Sequence, residues 1–150
     1  MESLKKIYPN VVVPQHGRGY FGVGILCPKI TMNIGTLWRT AQIFGADFTF
    51  IIGKRYETFR SSLPKGSKLV GIELDEQSVP LASYSHPQRA VYLLGAEDFG
   101  LPPEVIATCD DIVQILGESS LNVSVAGSIV IYDRLLKRGG FGATSLEQSI

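Results

Sequence analysis

Cysteine and histidine are scarce in this chain: Cys27, Cys109, His16 and His86 are all it has. The cysteines form no CxxC pair, and no Cys/His cluster has metal-ligand spacing, so two reduced, partly buried thiols are expected and no metal. His16 and His86 lie in Pro/Gly-rich segments without a neighbouring cysteine or acid and read as loop histidines. Net charge is missing too, with 14 Lys and Arg against 14 Asp and Glu. No run approaches the roughly 18 apolar residues of a membrane span. The opening MESLKKIYPNVVVPQ lacks the apolar centre of a signal peptide, so a cytoplasmic protein is expected. No GxGxxG follows the first apolar run and no GxxxxGK[ST] occurs, which disfavours ordinary dinucleotide and P-loop sites.

What is present is a globular composition, 45% hydrophobic over 150 residues, enough for one domain with a proper core. Its charge is unevenly spread. Lys5, Lys6, Arg18, Lys29, Arg39, Lys54, Arg55, Arg60, Lys65 and Lys68 lie in the first half, and most acids in the second. Such a split suits a surface that meets phosphates, and equally suits a solvated basic loop. Residues 1–20 lack periodicity and read as an irregular arm; 139–150 read as a loose tail.

Short apolar runs predict strands at Phe21–Leu26, Phe48–Ile52, Leu69–Leu74, Ala90–Leu94 and Ile112–Ile115. Ile34, Leu37, Trp38, Ala41 and Phe44 keep helical spacing, with Asn33 as the expected N-cap and Gly45 as the stop. A short helix is expected at Pro103–Cys109, and a helical turn before His86. The segment from Gly53 to Lys68 reads as a long exposed basic loop with Tyr56 and Phe59 interleaved. From Val123 to Leu136 apolar residues occupy more than one helix face, so that helix needs cover on two sides. Asp133, Arg134, Lys137 and Arg138 crowd its last turns, where positive charge suits the dipole, and Gly139-Gly140 end it. Alternating strands and helices give an α/β domain with a mostly parallel sheet flanked by helices, in which ligands bind beyond the strand C-termini. The loops after three strands, Cys27–Asn33, Gly95–Gly100 and Ile115–Asn122, are therefore the candidates for a site.

Three motifs carry a resemblance: Asn33-Ile34-Gly35 leading to Arg39-Thr40-Ala41 and Phe44-Gly45; Leu94-Gly95-Ala96-Glu97 with Gly100-Leu101; and Ser120-Leu121-Asn122-Val123-Ser124-Val125-Ala126. In order and spacing, over roughly residues 20–138, they resemble the SpoU (TrmH-like) branch of the SPOUT RNA methyltransferases. The resemblance implies a C-terminal deep trefoil knot, S-adenosyl-L-methionine as cofactor, a homodimer, and methylation of a ribose 2′-hydroxyl in RNA, tRNA ahead of rRNA. The chain departs from the family at Leu116, where proline is frequent, at Ala96, where Asn or Pro is common, and in its bulky Phe99.

Carried onto this sequence, the resemblance assigns Ile72, Leu94, Gly95, Glu97, Gly100, Ile115, Leu116, Ser120, Leu121 and Asn122 to the cofactor. It assigns Arg39, Asn33, Glu97 and Ser120 to catalysis, with Glu97 steadying Arg39. Ser120 and Asn122 equally suit capping of the last helix. Arg39 is the family's proposed base, yet a guanidinium is essentially always charged, so a phosphate clamp and alkoxide stabiliser is the better expectation. RNA contacts are expected from Asn33, Arg39, Lys54, Arg55 and Lys65. Trp38 reads as core or dimer interface. Two rivals stand beside this reading: a non-catalytic RNA- and cofactor-binding module of the same fold, and an unrelated doubly wound nucleotide-binding protein.

Overall fold

The structure is a computed structural model and describes residues 19–138. The arm up to Arg18, including Lys5, Lys6 and His16, and the tail from Gly139, including the Gly139-Gly140 stop, lie outside the described residues. The order is β1 (Tyr20–Leu26), α1 (Thr31–Ile43), β2 (Phe48–Ile52), α2 (Phe59–Ser62), β3 (Lys68–Ile72), β4 (Val79–Pro80), a 3₁₀ turn (Leu81–Ser83), β5 (Arg89–Leu94), α3 (Pro103–Ile106), β6 (Asp111–Gln114) and α4 (Val123–Lys137). The strands form one six-stranded sheet in the order β2-β1-β5-β3-β6-β4. Every pairing is parallel, the arrangement the alternating pattern predicts.

Strands covered on both faces need apolar residues at every position. Tyr92 and Leu94 of β5 point to one face, where Phe21, Val23, Ile25, Leu37, Val130 and Ile131 complete a core under α1 and α4. Val91 and Leu93 point to the other, packing with Leu26, Ile52, Leu69, Leu101 and Val105. Each fully buried branched side chain contributes roughly 1.5–3 kcal/mol of transfer energy. The second face is why the Gly53–Lys68 segment is not loop throughout. It contains α2, and Tyr56 and Phe59 pack against this second core, which leaves both partly buried.

Helix α1 begins three residues earlier than its polar signal suggests. Its N-cap is Ile30, without a side-chain cap bond, and Asn33 is buried inside the first turn. Gly45 does end the helix, in left-handed conformation at φ 75°. The amides of Gly45 and Ala46 return to the carbonyls of Gln42 and Ala41.

The charged end of α4 does more than offset a dipole. Arg134 is fully buried. Its Nη1 donates to the Pro87 carbonyl (2.7 Å) and the Tyr92 hydroxyl (3.0 Å), and Nη2 to the Gln88 carbonyl (2.9 Å). Lys137 donates to the carbonyls of Leu81 and Tyr84, and Arg138 to that of His86. A buried cation is tolerable only when its donors are this well used. His86 does lie in a loop but is not solitary there: it is buried, with Nδ1 2.7 Å from the Tyr92 hydroxyl and Nε2 2.7 Å from the Asp133 carboxylate. Cys27 and Cys109 are free and partly buried as expected, and burial pushes the Cys109 thiol up to about 11.

Loss of hydration on burial holds the His86 ring below its ordinary pKa, only partly offset by the Asp133 bond, with Arg134 and Lys137 adding to the depression. The unfolded chain therefore binds the proton more readily than the fold does. Stability falls as pH drops through the ordinary histidine value of about 6.5. Urea unfolding at pH 7.5 and 5.5 checks this, and His86→Gln flattens that part of the pH dependence.

Candidate active site

The loops beyond β1, β3, β5 and β6 meet at the C-terminal edge of the sheet around a cavity of about 460 Å³. That size suits a small organic ligand. Cys27, at φ 47°, turns the chain out of β1 into the first loop. Gly95 and Gly100 then pinch the β5 loop: a Cβ on Gly95 would lie 2.2 Å from the Gly100 carbonyl carbon. The loop is closed by the Gly100 amide on the Ala96 carbonyl at 3.0 Å.

One chain of side-chain hydrogen bonds joins three of the loops. The Glu97 carboxylate accepts from Asn33 Nδ2 (3.1 Å) and from the backbone amides of Lys29 (3.1 Å) and Ile30 (3.4 Å). Asn33 Oδ1 in turn accepts from Asn122 Nδ2 at 2.9 Å. Asn122 Oδ1 caps α4 by accepting from the amides of Ser124 (2.9 Å) and Val125 (3.3 Å). Desolvation opposes ionisation of Glu97, but the Asn33 bond and the amides of Glu97, Lys29 and Ile30 outweigh it and hold the carboxyl below its ordinary range. Glu97 is thus a fixed anion organising two loops. It orients Asn33; within the single chain it makes no bond to Arg39, which is exposed on α1.

The structure brings together Asn33, Ile72, Leu94, Gly95, Glu97, Gly100, Ile115, Ser120, Leu121 and Asn122, all of which line the cavity. Asn122 caps α4, and Ser120 does not. Leu116 is not in the wall; it is 68% exposed, beyond the end of β6 at Gln114. Arg39 is exposed on α1 and outside the cavity, since six residues of helix carry it well round from Asn33. Lys54, Arg55 and Lys65 are exposed and also stand away from it. Trp38 is partly buried against the first core.

Sequence reasoning missed Glu73. Its carboxylate lines the cavity and accepts from the amides of Leu101 (2.7 Å) and Leu74 (2.9 Å), tying the end of β3 to the β5 loop. Its position, one residue past the strand end that flagged Ile72, was the available signal. Also missed were Ile30, Leu74, Phe99 and Gln114. Among the described residues no group of three or more His, Cys, Asp or Glu could hold a metal, and no helix is long and apolar enough to cross a membrane.

The architecture and the convergence of these loops define an α/β protein with a small-molecule site at the strand ends. Residues 49–132 match the SpoU rRNA Methylase family, and the chain belongs to it. It is 38% identical over 76 residues to the 23S rRNA (guanosine-2'-O-)-methyltransferase RlmB of Acinetobacter baylyi, covering 49% of this chain and 31% of that protein. To the tRNA (guanosine(18)-2'-O)-methyltransferase TARBP1 of Mus musculus it is 36% identical over 133 residues, covering 67% of this chain and 8% of that protein. The chain thus spans under a third of the length of these two curated relatives. The solved structure of an AdoMet-bound rRNA methyltransferase from Sinorhizobium meliloti superposes with a TM-score of 0.68 at 22% identity, over 83% of this chain and 58% of that one, a likeness of fold.

Gly100 is left-handed at φ 63°, and a Cβ there would meet Glu73 Oε2 at 2.1 Å. Gly100→Ala is expected to cost at least about 1–2 kcal/mol from the backbone alone, read as a lower urea midpoint at unchanged slope.

Proposed function

We propose that this chain is the catalytic domain of an S-adenosylmethionine-dependent methyltransferase acting on a ribose 2′-hydroxyl in structured RNA, with tRNA ahead of rRNA. The observation that carries the reading is the Glu97–Asn33–Asn122 chain, which links all three family motifs at one cavity. Ile72, Leu94, Ile115 and Leu121 offer apolar walls for an adenine, and the pinched Gly95–Gly100 loop lets backbone come close to a ligand. The fixed Glu97 and Glu73 carboxylates suit the cationic and hydroxyl-bearing parts of the cofactor. When bound, the cofactor supplies an already activated sulfonium methyl, so the transfer calls for no metal. What the chain adds is alignment and exclusion of water.

Homodimerisation belongs to the same proposal. Val125, Ile129, Tyr132 and Leu136 form a stripe along α4 that is between 38% and 55% exposed. Together with Thr36 and Phe44 they line an apolar groove that the single chain leaves open. A second copy seated there supplies the second covered side that the helix pattern calls for. Arg39 lies on α1 between Thr36 and Phe44, so it would serve a site shared across that interface. There its planar fork clamps a phosphate and stabilises the developing alkoxide, without acting as a base. Lys54, Arg55 and Lys65 supply further phosphate contacts. The trefoil knot, the single domain and a cytoplasmic location complete the proposal. The knot is supported by the return of the chain from β6, past the ends of β3 and β5, to pack α4 on α1.

Calorimetry is expected to give binding of S-adenosylmethionine but not of NAD or ATP, and the purified protein is expected to methylate bulk tRNA. Binding without transfer would leave a non-catalytic module. Arg39→Lys keeps the charge but not the fork and is expected to lose most of the roughly 10²-fold that such a contact supplies to kcat; near-full turnover overturns the clamp. Neutralising Lys54, Arg55 and Lys65 together is expected to weaken RNA binding and flatten log K against log salt by about 0.7–0.9 for each phosphate that these side chains neutralise.

A further inference from the structure

Phe99 is the most exposed large apolar side chain among the described residues, at 80%. It stands on the cavity wall, in the turn closed by the Ala96–Gly100 bridge. The Lys29 ammonium lies over its ring, 4.9 Å from the centroid. Lys29 is itself held by Asp98 at 2.5 Å, while Glu97 fixes its backbone amide. Residues of two loops thus combine to present one aromatic ring, a cation on one face and water around the rest. Ile30, Leu74 and Leu121, each about half exposed, continue the apolar rim of the same cavity.

A ribose carries its base on the carbon next to the one bearing the 2′-hydroxyl. Any nucleotide whose 2′-oxygen reaches the mouth of this cavity therefore holds its base within reach of the rim on which Phe99 stands. Every base has a π-face, and stacking on an aromatic side chain is tolerant of sequence. A base inside a duplex has both faces occupied by its neighbours, whereas an unpaired base in a loop or at an end is free to stack. The neighbouring ammonium adds attraction for the adjoining phosphate. Resting on the function proposed above, we propose that Phe99 is the platform on which the base of the target nucleotide stacks, so that the enzyme takes its target unpaired.

The test combines a binding arm and a turnover arm. In the first, a fluorescent single-stranded oligouridylate and a labelled RNA duplex are titrated onto the full chain with S-adenosylhomocysteine present. In the second, methyl transfer to bulk tRNA from cells lacking the gene is followed. Phe99→Ala is expected to weaken oligouridylate binding and raise the KM for tRNA by at least about fivefold, with duplex binding unchanged and any loss of S-adenosylmethionine affinity smaller than the loss of oligouridylate binding. Phe99→Trp restores the wild-type values; Phe99→Leu, apolar but without a π-face, does not. Rescue by leucine, an unaltered KM, or an equal loss of cofactor affinity overturns the platform. Because the ring is exposed, these variants fold. Wild-type protein that binds the oligonucleotide through Phe99 but transfers no methyl group supports the platform and overturns the enzymatic reading. Transfer that ignores Phe99 does the reverse.

Discussion

Asn33 is the constraint from which the site follows. One buried amide gives its donor to Glu97 and its acceptor to Asn122, so three loops drawn from distant parts of the chain share a single relative placement. Inside a protein an unpaired amide costs a few kcal/mol, and none of these residues can move without orphaning another. The cavity is therefore set by a polar chain laid over an apolar sheet, with Glu97 kept ionised by the same donors that it organises.

The sheet explains why the loops arrive together. Parallel strands deliver all their C-terminal ends to one edge, and β5, paired with both β1 and β3, lies between the loops that line the site. Below that edge, the other end of the sheet is tied to α4 by Arg134, whose guanidinium satisfies carbonyls of Pro87 and Gln88 just ahead of β5. Helix α4 is thus anchored at both ends, by Asn122 at the cavity and by Arg134 at the far side. What remains on its outer face is apolar and available for a partner.

Much of this was legible in the sequence because it is written in local patterns. The runs FTFII and AVYLL announce strands by composition alone, and strand ends announce loops. The family resemblance singles out ten of the residues that meet at the cavity, from Asn33 to Asn122. What was not legible depends on pairings across distance. His86 looked solitary because Asp133, its partner at 2.7 Å, lies 47 residues away. Asn33 looked like a cap because its residue type is a capping type, and only the fold reveals that Glu97 and Asn122 claim its amide. Arg134 read only as a charge suited to the helix dipole because nothing near it in sequence advertises the Tyr92 hydroxyl. Leu116 was placed in the wall by the family resemblance, and the course of the chain beyond β6 turns it to solvent instead. Tyr56 and Phe59 read as exposed because their neighbours are polar, whereas the second face of the sheet needed covering.

The register of β1 on β5 bears on how the molecule is made. Tyr20 pairs with Arg89 and Ile25 with Leu94, so an interior ladder of the sheet joins stretches that leave the ribosome far apart in time. Distant pairings of this kind slow folding. Asn122, which fastens the loops to one another, is synthesised later still. The nascent chain therefore holds an unfinished sheet, with apolar strand faces uncovered, until α4 emerges, and the pocket cannot assemble before then.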